Sequence, residues 1–412
     1  MKKNINIVHV NTEIKANSVP NRLRVALAKY GIRSSILTLK TDVTDDDIYV
    51  IKRDFINKVL RKLDYLLINL EHRVRYPNDA GLPYSFYRIG LNISKNEMIK
   101  NADIIVLHWI CGAFISAANL KQLVRMGKPI VIVCHDSWFF TGGCHVRLGC
   151  ERFVEQCGKC PELNSAGMSD WSFRLLRKKI KAIKGGNITV VSPSGWMDKN
   201  VVRSALLNGF RHCIIPNPID TDFYNIREEK EPEKIFTLTF GAVNAVSTPY
   251  KGYQQLMEAL DILEKEYLGD CQVQALIFGA DRGEERTDKR IRIKYLGYLS
   301  EIQMAELFNY ADIYVMPSLD DNLPGTVMEC LACGTPVVAF DVGGVPDMIC
   351  HKQNGYLAEY NNPEDLAKGI SWVMNHNENN ALGRYGREYI VDHFSEKVVA
   401  QQYAELFDRL TD

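Results

Sequence analysis

The chain has 412 residues, 46% of them apolar and 24% charged. That composition excludes a disordered or low-complexity protein and, at this length, suits two domains of roughly 200 residues each. The formal charge of zero hides an asymmetry: residues 1–215 carry 33 Lys and Arg against 17 Asp and Glu, and residues 216–412 carry 17 against 33. The basic half invites an anionic partner, either a phosphorylated ligand or an anionic membrane surface, or else faces the acidic half; nucleic acid is not expected. Eleven cysteines, an odd number, argue against a disulfide framework.

The first residues, MKKNINIVHV, read as a strand and lack the apolar core of a signal peptide. A helix, RLRVALAKYG, and a strand, SSILTL, follow. Residues 53–75 read as a long helix, apolar on one side and basic on the other. Such a helix either lies on an anionic membrane or packs on its own domain, and FRLLRKKIKAIK (Phe173 to Lys184) has the same character. ADIIVLHW is a strand ending on His108 and Trp109. The apolar run around it, Ile104 to Ala118, is about fifteen residues, short of the ~20 that a membrane span needs. A cytoplasmic chain with peripheral membrane contact is therefore expected. After a helix, FISAANLKQLVRMG, the strand KPIVIVCHD places His135 and Asp136 at its carboxyl end.

TGGCHVRLGCERFVEQCGKCPEL then gathers Cys144, Cys150, Cys157 and Cys160. The closing C-x2-C knuckle and four thiols suit a tetrahedral structural zinc, with no open position for catalysis. Free thiols packing an ordered loop, redox pairing and an iron–sulfur cluster are the alternatives. ITVVSPS, WMDKNVVRSALL and CIIPNP complete the first series, and IPNPIDTDFYNIREEKEPEK reads as a linker. A second series follows: FTLTFGA, YQQLMEALDILEKEY, VQALIFGAD, IKYLGYLS, EIQMAELFNYA, IYVMPSL, TVMECLACG and TPVVAF. Strands alternating with helices of this length imply two doubly wound parallel-sheet domains of the α/β class, with ligands beyond the carboxyl ends of the strands in a cleft between the domains.

Between IYVMPS and TVMECLACG lies a Pro-Gly turn bracketed by Asp321 and Glu329. A helix starting near Gly325 or Thr326 offers unpaired N–H groups and a partial positive charge to an anion, and Gly325 allows close approach. Glu329, one turn in, can accept from two vicinal hydroxyls. Taken alone it could equally complement the helix dipole, an effect of ~0.3–1 kcal/mol. Lys251, in PYKGYQQL, can meet a diphosphate as a point charge. CLAC (Cys330, Cys333) reads as core packing.

PSLDDNLPGTVMECLACGTPVVAFDVGGVPDMI, with PYKGYQQL upstream and a doubly wound first half, resembles the retaining nucleotide-sugar glycosyltransferases of family 4, bacterial capsule, exopolysaccharide and O-antigen enzymes in particular. The resemblance implies two Rossmann-like domains facing across a cleft (the GT-B fold) and a nucleoside-diphosphate sugar, UDP- or GDP-linked, as donor. It implies that Glu329 binds the ribose hydroxyls, that Asp321 binds sugar hydroxyls, and that the amides of Asn322, Leu323, Gly325 and Thr326 hold sugar and diphosphate. Lys251 would stabilise the leaving diphosphate, with Asn244 as the nearest polar group where a basic partner is usual. Tyr298 and Leu299 in the GYLS loop would meet the base, and His135 the donor sugar near the reacting carbon. His108, Trp109 and Asp136 would line the acceptor side. A similar cysteine run in related enzymes implies a structural purpose.

Two departures stand out: the first acid is Asp where Glu is usual, and Pro324 replaces a glycine and has no N–H to donate. No Asp-x-Asp metal motif stands in a cleft position, since Asp45 to Asp47 and Asp320-Asp321 are simple acidic runs, so no cofactor is expected for catalysis. The divisions expected are an acceptor-side domain over 1–215 with a Cys-rich loop over 141–163, a linker over 216–232, a nucleotide-sugar domain over 233–393, and a C-terminal helix over 394–412 that packs back on the first. The expected reaction is retaining transfer of a sugar to a lipid-linked or growing saccharide. A nucleotide-sugar epimerase or hydrolase, or a non-catalytic nucleotide-sugar-binding subunit, are the rival readings.

Overall fold

A computed structural model describes residues 5–52, 55–78, 81–86, 88–227, 235–280, 285–287 and 289–411. The chain divides into two compact units, residues 1–218 with 399–412, and residues 219–398. Part of the expected linker, residues 228–232, and the first two residues of the expected 53–75 helix lie outside the described residues.

The first unit runs β1 (Ile7–Ile14), α1 (Val19–Lys29), β2 (Ser34–Thr41), β3 (Ile48–Val50), α2 (Phe55–Arg75), α3 (Glu97–Asn101) and β4 (Ile104–Leu107). It continues through α4 (Ala117–Val124), β5 (Ile130–Val133), α5 (Trp171–Ile183), β6 (Ile188–Ser192), α6 (Gly195–Arg203) and β7 (Arg211–Ile214). The seven strands form one parallel sheet in the order β3-β2-β1-β4-β5-β6-β7. The central strands IIVL and IVIV are buried on both faces, as β-branched runs in a covered parallel sheet must be. Helix starts are fixed by short polar side chains: Ser116 forms a capping box with Asn119, and Asp170 accepts from the Phe173 amide.

The second unit runs β8 (Phe236–Gly241), α7 (Tyr253–Glu266), β9 (Val273–Phe278), β10 (Ile291–Gly297), α8 (Glu301–Tyr310) and β11 (Ile313–Met316). Then come α9 (Gly325–Ala332), β12 (Val337–Phe340), β13 (Gly355–Ala358), α10 (Pro363–His376) and α11 (Ala381–Phe394). Its six parallel strands take the order β10-β9-β8-β11-β12-β13. Both sheets are therefore doubly wound and Rossmann-like. In each, the order reverses beside the first strand, between β1 and β4 and between β8 and β11, and that reversal leaves a crevice at the carboxyl ends.

The last helix, α12 (Glu396–Thr411), supplies Val399, Tyr403, Leu406 and Phe407 to the core of the first unit, in one cluster with Leu23 and Leu27 of α1 and Val106, Val131 and Val191 of the sheet. The chain's end thus completes the hydrophobic cover of a sheet built from its beginning. Basic α5 does not turn all its cations outward. Lys179 is buried, donates to the Trp138 and Thr141 carbonyls, and sits over the Trp138 ring; burial lowers it to about 8. Replacing fully buried Phe407 by Ala leaves a cavity in this core. The expected cost to the first unit is about 3–5 kcal/mol, read by urea denaturation, and a loss under about 1 kcal/mol would contradict the packing described.

Candidate functional site

In the second unit, two loops leave the carboxyl ends of β8 and β11 and are stitched to each other. The Leu319 amide donates to the Tyr250 carbonyl at 2.8 Å. Gly252 takes φ +75°, and a Cβ there would run into the Pro317 carbonyl oxygen, so only glycine lets the strands' loops approach this closely. That approach sets Lys251 Nζ 2.7 Å from Asp321 Oδ2, both side chains partly exposed. Burial alone would lower Lys251, but the charge and hydrogen bond of Asp321, with Tyr250 and Asp320 adding, hold it above its ordinary value. It is a cation at neutral pH. A third loop closes on the same carboxylate residue: the Gly344 amide donates to the Asp321 carbonyl at 3.3 Å, and Gly343, at φ +59°, leaves no room for a Cβ against that carbonyl.

Helix α9 starts at Gly325, with Pro324 as an extended N-cap that makes no side-chain capping bond. Its first amides thus lack the usual capping partner, and the dipole's positive end is directed into the crevice region of this unit. A Cβ on Gly325 would meet nothing nearer than Glu329 Oε1 at 3.6 Å, so the approach to that turn is open. Glu329 is buried. Thr326 is tied inward by its hydroxyl to the Tyr314 hydroxyl at 3.0 Å, which leaves its amide as the group presented outward, and Tyr314 in turn donates to the Gly241 carbonyl. Leu323 is buried in the core below the turn, and Asn322 is partly exposed. At the rim of the same unit, the Tyr298 hydroxyl donates to Asn244 Oδ1 at 2.8 Å, and exposed Tyr298 rises from the turn at Gly297, beside partly buried Leu299. The structure thus brings Lys251 to Asp321, Asn244 to Tyr298, and Gly325 to Glu329. Tyr314 and the Gly343-Gly344 turn are participants that periodicity alone did not single out.

In the first unit, the crevice between β1 and β4 holds a chain of three imidazoles. His9 Nδ1 lies 2.9 Å from His108 Nε2, and His108 Nδ1 lies 2.8 Å from His135 Nε2, with the rings stacked. His9 Nε2 is enclosed and has no hydrogen-bonding partner among the described residues. A buried N–H without an acceptor is rarer and costlier than a bare lone pair, so the His9 proton sits on Nδ1 and points at His108. One assignment then satisfies both links: each Nδ1–H donates to the next Nε2. His135 accepts at Nε2 and carries its own proton on Nδ1. Burial holds all three neutral. His9 falls to about 3, helped by the Arg24 charge, and His135 to about 4 despite the Asp136 charge; His108 falls well below its ordinary value through burial and its two neighbours. His9 was invisible in the sequence because it is one apolar-strand position among eight.

Trp109 and Asp136 are less free than their strand-end positions imply. The Trp109 amide donates to Asn11 Oδ1, and its ring stays about a third exposed. Asp136 caps the turn at Trp138 with one oxygen and accepts from His145 Nδ1 at 2.7 Å with the other, while His145 Nε2 meets Ser85 Oγ. Asp136 is thereby a loop organiser. Cys144, Cys150, Cys157 and Cys160 line one cavity of about 20 Å³. Burial pushes the Cys144, Cys157 and Cys160 thiols up, Cys157 to about 12. Among the described residues no group of three or more His, Cys, Asp and Glu is arranged to hold a metal ion.

The chain is similar to several known proteins. The family described as "Glycosyl transferases group 1" matches residues 225–389. N-acetyl-alpha-D-glucosaminyl L-malate synthase of Bacillus anthracis is 30% identical over 364 residues, covering 83% of this chain and 84% of that one. The N,N'-diacetylbacillosaminyl-diphospho-undecaprenol alpha-1,3-N-acetylgalactosaminyltransferase of Campylobacter jejuni is 30% identical over 118 residues, 29% of this chain and 31% of that one. Among solved structures, Anabaena HepE in complex with UDP-glucose covers 98% of this chain and 100% of its own, with a TM-score of 0.63 at 16% identity, a likeness of fold.

The neutral imidazole chain has a stability consequence. Each ring titrates near 6.5 when unfolded and far lower when folded, so unfolding takes up protons below that value. The contribution is whole above about pH 6.5 and is lost as pH falls toward about 4, by up to about 1.4 kcal/mol per pH unit for each ring. The urea midpoint of the wild type is expected to fall between about pH 7 and about pH 5, and His9→Phe with His108→Phe to flatten that fall. Equal slopes in the two proteins would contradict the assignment.

Proposed function

We propose, from the premise that this chain belongs to the group 1 glycosyl transferases, that it moves a sugar from a nucleoside-diphosphate donor onto a lipid-linked or growing saccharide, with retention, in the assembly of a surface polysaccharide at the cytoplasmic side of a membrane. The chain is an enzyme of that family with the two Rossmann-like sheets of the GT-B class. The observation that carries the donor reading is the uncapped start of α9, with buried Glu329 one turn inside it and the Lys251–Asp321 pair beside it.

Each group has a task that its chemistry suits. The amides of Gly325 and Thr326 take diphosphate oxygens at the positive end of the helix. Glu329 accepts from the two vicinal hydroxyls of the ribose, which a buried carboxylate does well because the bonds are charge-assisted. Lys251 offsets the charge that grows on the diphosphate as the glycosidic bond breaks, a preorganised electrostatic role. Its pairing with Asp321 serves two ends: the carboxylate holds the ammonium in place, and the ammonium cancels a negative charge that would otherwise repel the donor. Asp321 keeps a free oxygen for sugar hydroxyls. Tyr298, exposed and held by Asn244, offers a ring face for the base. His135, with its proton fixed on Nδ1, donates to a saccharide oxygen without carrying charge.

Support for a nucleotide-sugar donor comes from the fold likeness to a structure holding UDP-glucose, and support for a lipid-linked acceptor from the Campylobacter relative's diphospho-undecaprenol substrate. Calorimetric titration with UDP and GDP is expected to show binding of one of them, weakened at least about 10-fold by Glu329→Ala, since two charge-assisted hydrogen bonds are lost. Lys251→Ala is expected to lower kcat by about 10²–10³-fold, by analogy with the loss of one preorganised donor. With a radiolabelled donor and lipid acceptor, label appearing only as free or epimerised sugar would overturn the transferase reading.

A further inference from the structure

Helix α2 is built inside out. Its inward face carries charge: buried Arg61 donates to the Gly112 carbonyl at 2.8 Å, and buried Asp64 accepts from the amides of Arg88 and Ile89. Glu71, two further turns along, accepts from Trp171 Nε1 at 3.1 Å and pairs with Arg88 and Arg75. Among the described side chains of the helix, Ile68 is the large buried apolar group beside them. The opposite face carries Val59, Leu63, Leu66, Leu67, Leu70 and Val74, which are 41–73% exposed. Their spacing of three, four and seven residues puts them in a single stripe about 100° wide.

A water-facing helix normally buries such a stripe and exposes its charges. Here rotation about the helix axis cannot restore that order, because Arg61, Asp64 and Glu71 are each anchored by named partners in the first unit. The exposed leucines are thus held outward by the fold, as a contiguous apolar surface of the sort that marks an interaction site.

The charges say what covers it. Lys58, Lys62 and Arg73 are exposed and line one edge of the stripe, while both acids of the described helix, Asp64 and Glu71, are turned toward the protein. A surface that is apolar at its centre, cationic along its edge and free of outward acids complements an anionic lipid interface, where acyl chains take the stripe and phosphates take the cations. A second copy packed antiparallel about a two-fold axis fits worse, because that contact would set the basic row against itself. The helix lies on the bilayer without crossing it: no helix among the described residues is long and apolar enough to span a membrane.

We propose that α2 is a docking helix that seats the first unit on an anionic bilayer, with Leu63, Leu66, Leu67 and Leu70 in the headgroup–acyl boundary and Lys58, Lys62 and Arg73 on lipid phosphates. This holds whether or not the transferase reading does, and its test needs no sugar transfer. The full chain is sedimented with vesicles of pure phosphatidylcholine, and with vesicles in which about a third is phosphatidylglycerol, at low and high salt. Binding to the anionic vesicles is expected to exceed binding to the neutral ones at least about 10-fold and to weaken with salt. Leu66→Ser with Leu70→Ser is expected to abolish it, and Lys58→Glu with Lys62→Glu to remove the anionic preference. These positions are exposed, so melting temperatures should match the wild type. No binding to either vesicle overturns the proposal, as does binding that both double variants keep. Concentration-dependent self-association that the leucine variants dissolve also overturns it, in favour of a second copy.

Discussion

The whole arrangement depends on a constraint of sheet geometry. When the strand order of a parallel sheet reverses, the connections from the two strands at the reversal leave to opposite faces, and their carboxyl ends stay uncovered. In this chain the reversal falls at β1/β4 and again at β8/β11. The groups that matter collect at those two places, within the first unit around His108 and His135 and within the second around Lys251, Asp321 and Glu329. Backbone groups there have no ladder partners, so side chains and loop amides satisfy each other. The stitched loops at Tyr250–Leu319 and Asp321–Gly344 are that satisfaction made visible.

The two crevices solve opposite electrostatic problems. In the second unit the site keeps charge: Lys251 and Asp321 pair at the rim, where partial exposure spares them the full desolvation cost, and the uncapped helix end adds a fixed positive potential. In the first unit the site discards charge. Three imidazoles are too deeply buried to ionise, so they share protons head to tail, and one orphan nitrogen on His9 decides the direction of the whole chain. A charged crevice suits a diphosphate. A neutral, oriented donor suits a hydroxyl-rich saccharide, where an imidazolium would bring a counter-ion with it.

Much of this was legible in the residues, because the signals are local. β-Branched runs followed by amphipathic helices announce parallel sheets, and the helix start at Gly325 follows from the Pro-Gly turn. Short β3 and β13 leave no such signal, since three or four residues carry little periodicity. The pairing of Lys251 with Asp321 spans 70 residues and arises from strand order, which no window of sequence contains. Likewise His9 and His108 meet only because β1 and β4 are neighbours. For α2, periodicity revealed two faces and could not say which turned inward; the answer lies in partners at Gly112, Arg88 and Trp171, all distant in sequence. The cysteine run reads as a metal knuckle by spacing, and the structure gathers its four side chains, from residues up to sixteen apart, around one small cavity.

The central claim is that the start of α9 is a nucleoside-diphosphate cradle. A crystal structure of the chain grown with the nucleoside diphosphate that binds it tests this most directly. The account predicts phosphate oxygens within hydrogen-bonding distance of the Gly325 and Thr326 amides, Lys251 turned to the diphosphate, and both ribose hydroxyls on Glu329. A diphosphate seated elsewhere, or a ribose that leaves Glu329 without a hydroxyl, would contradict it.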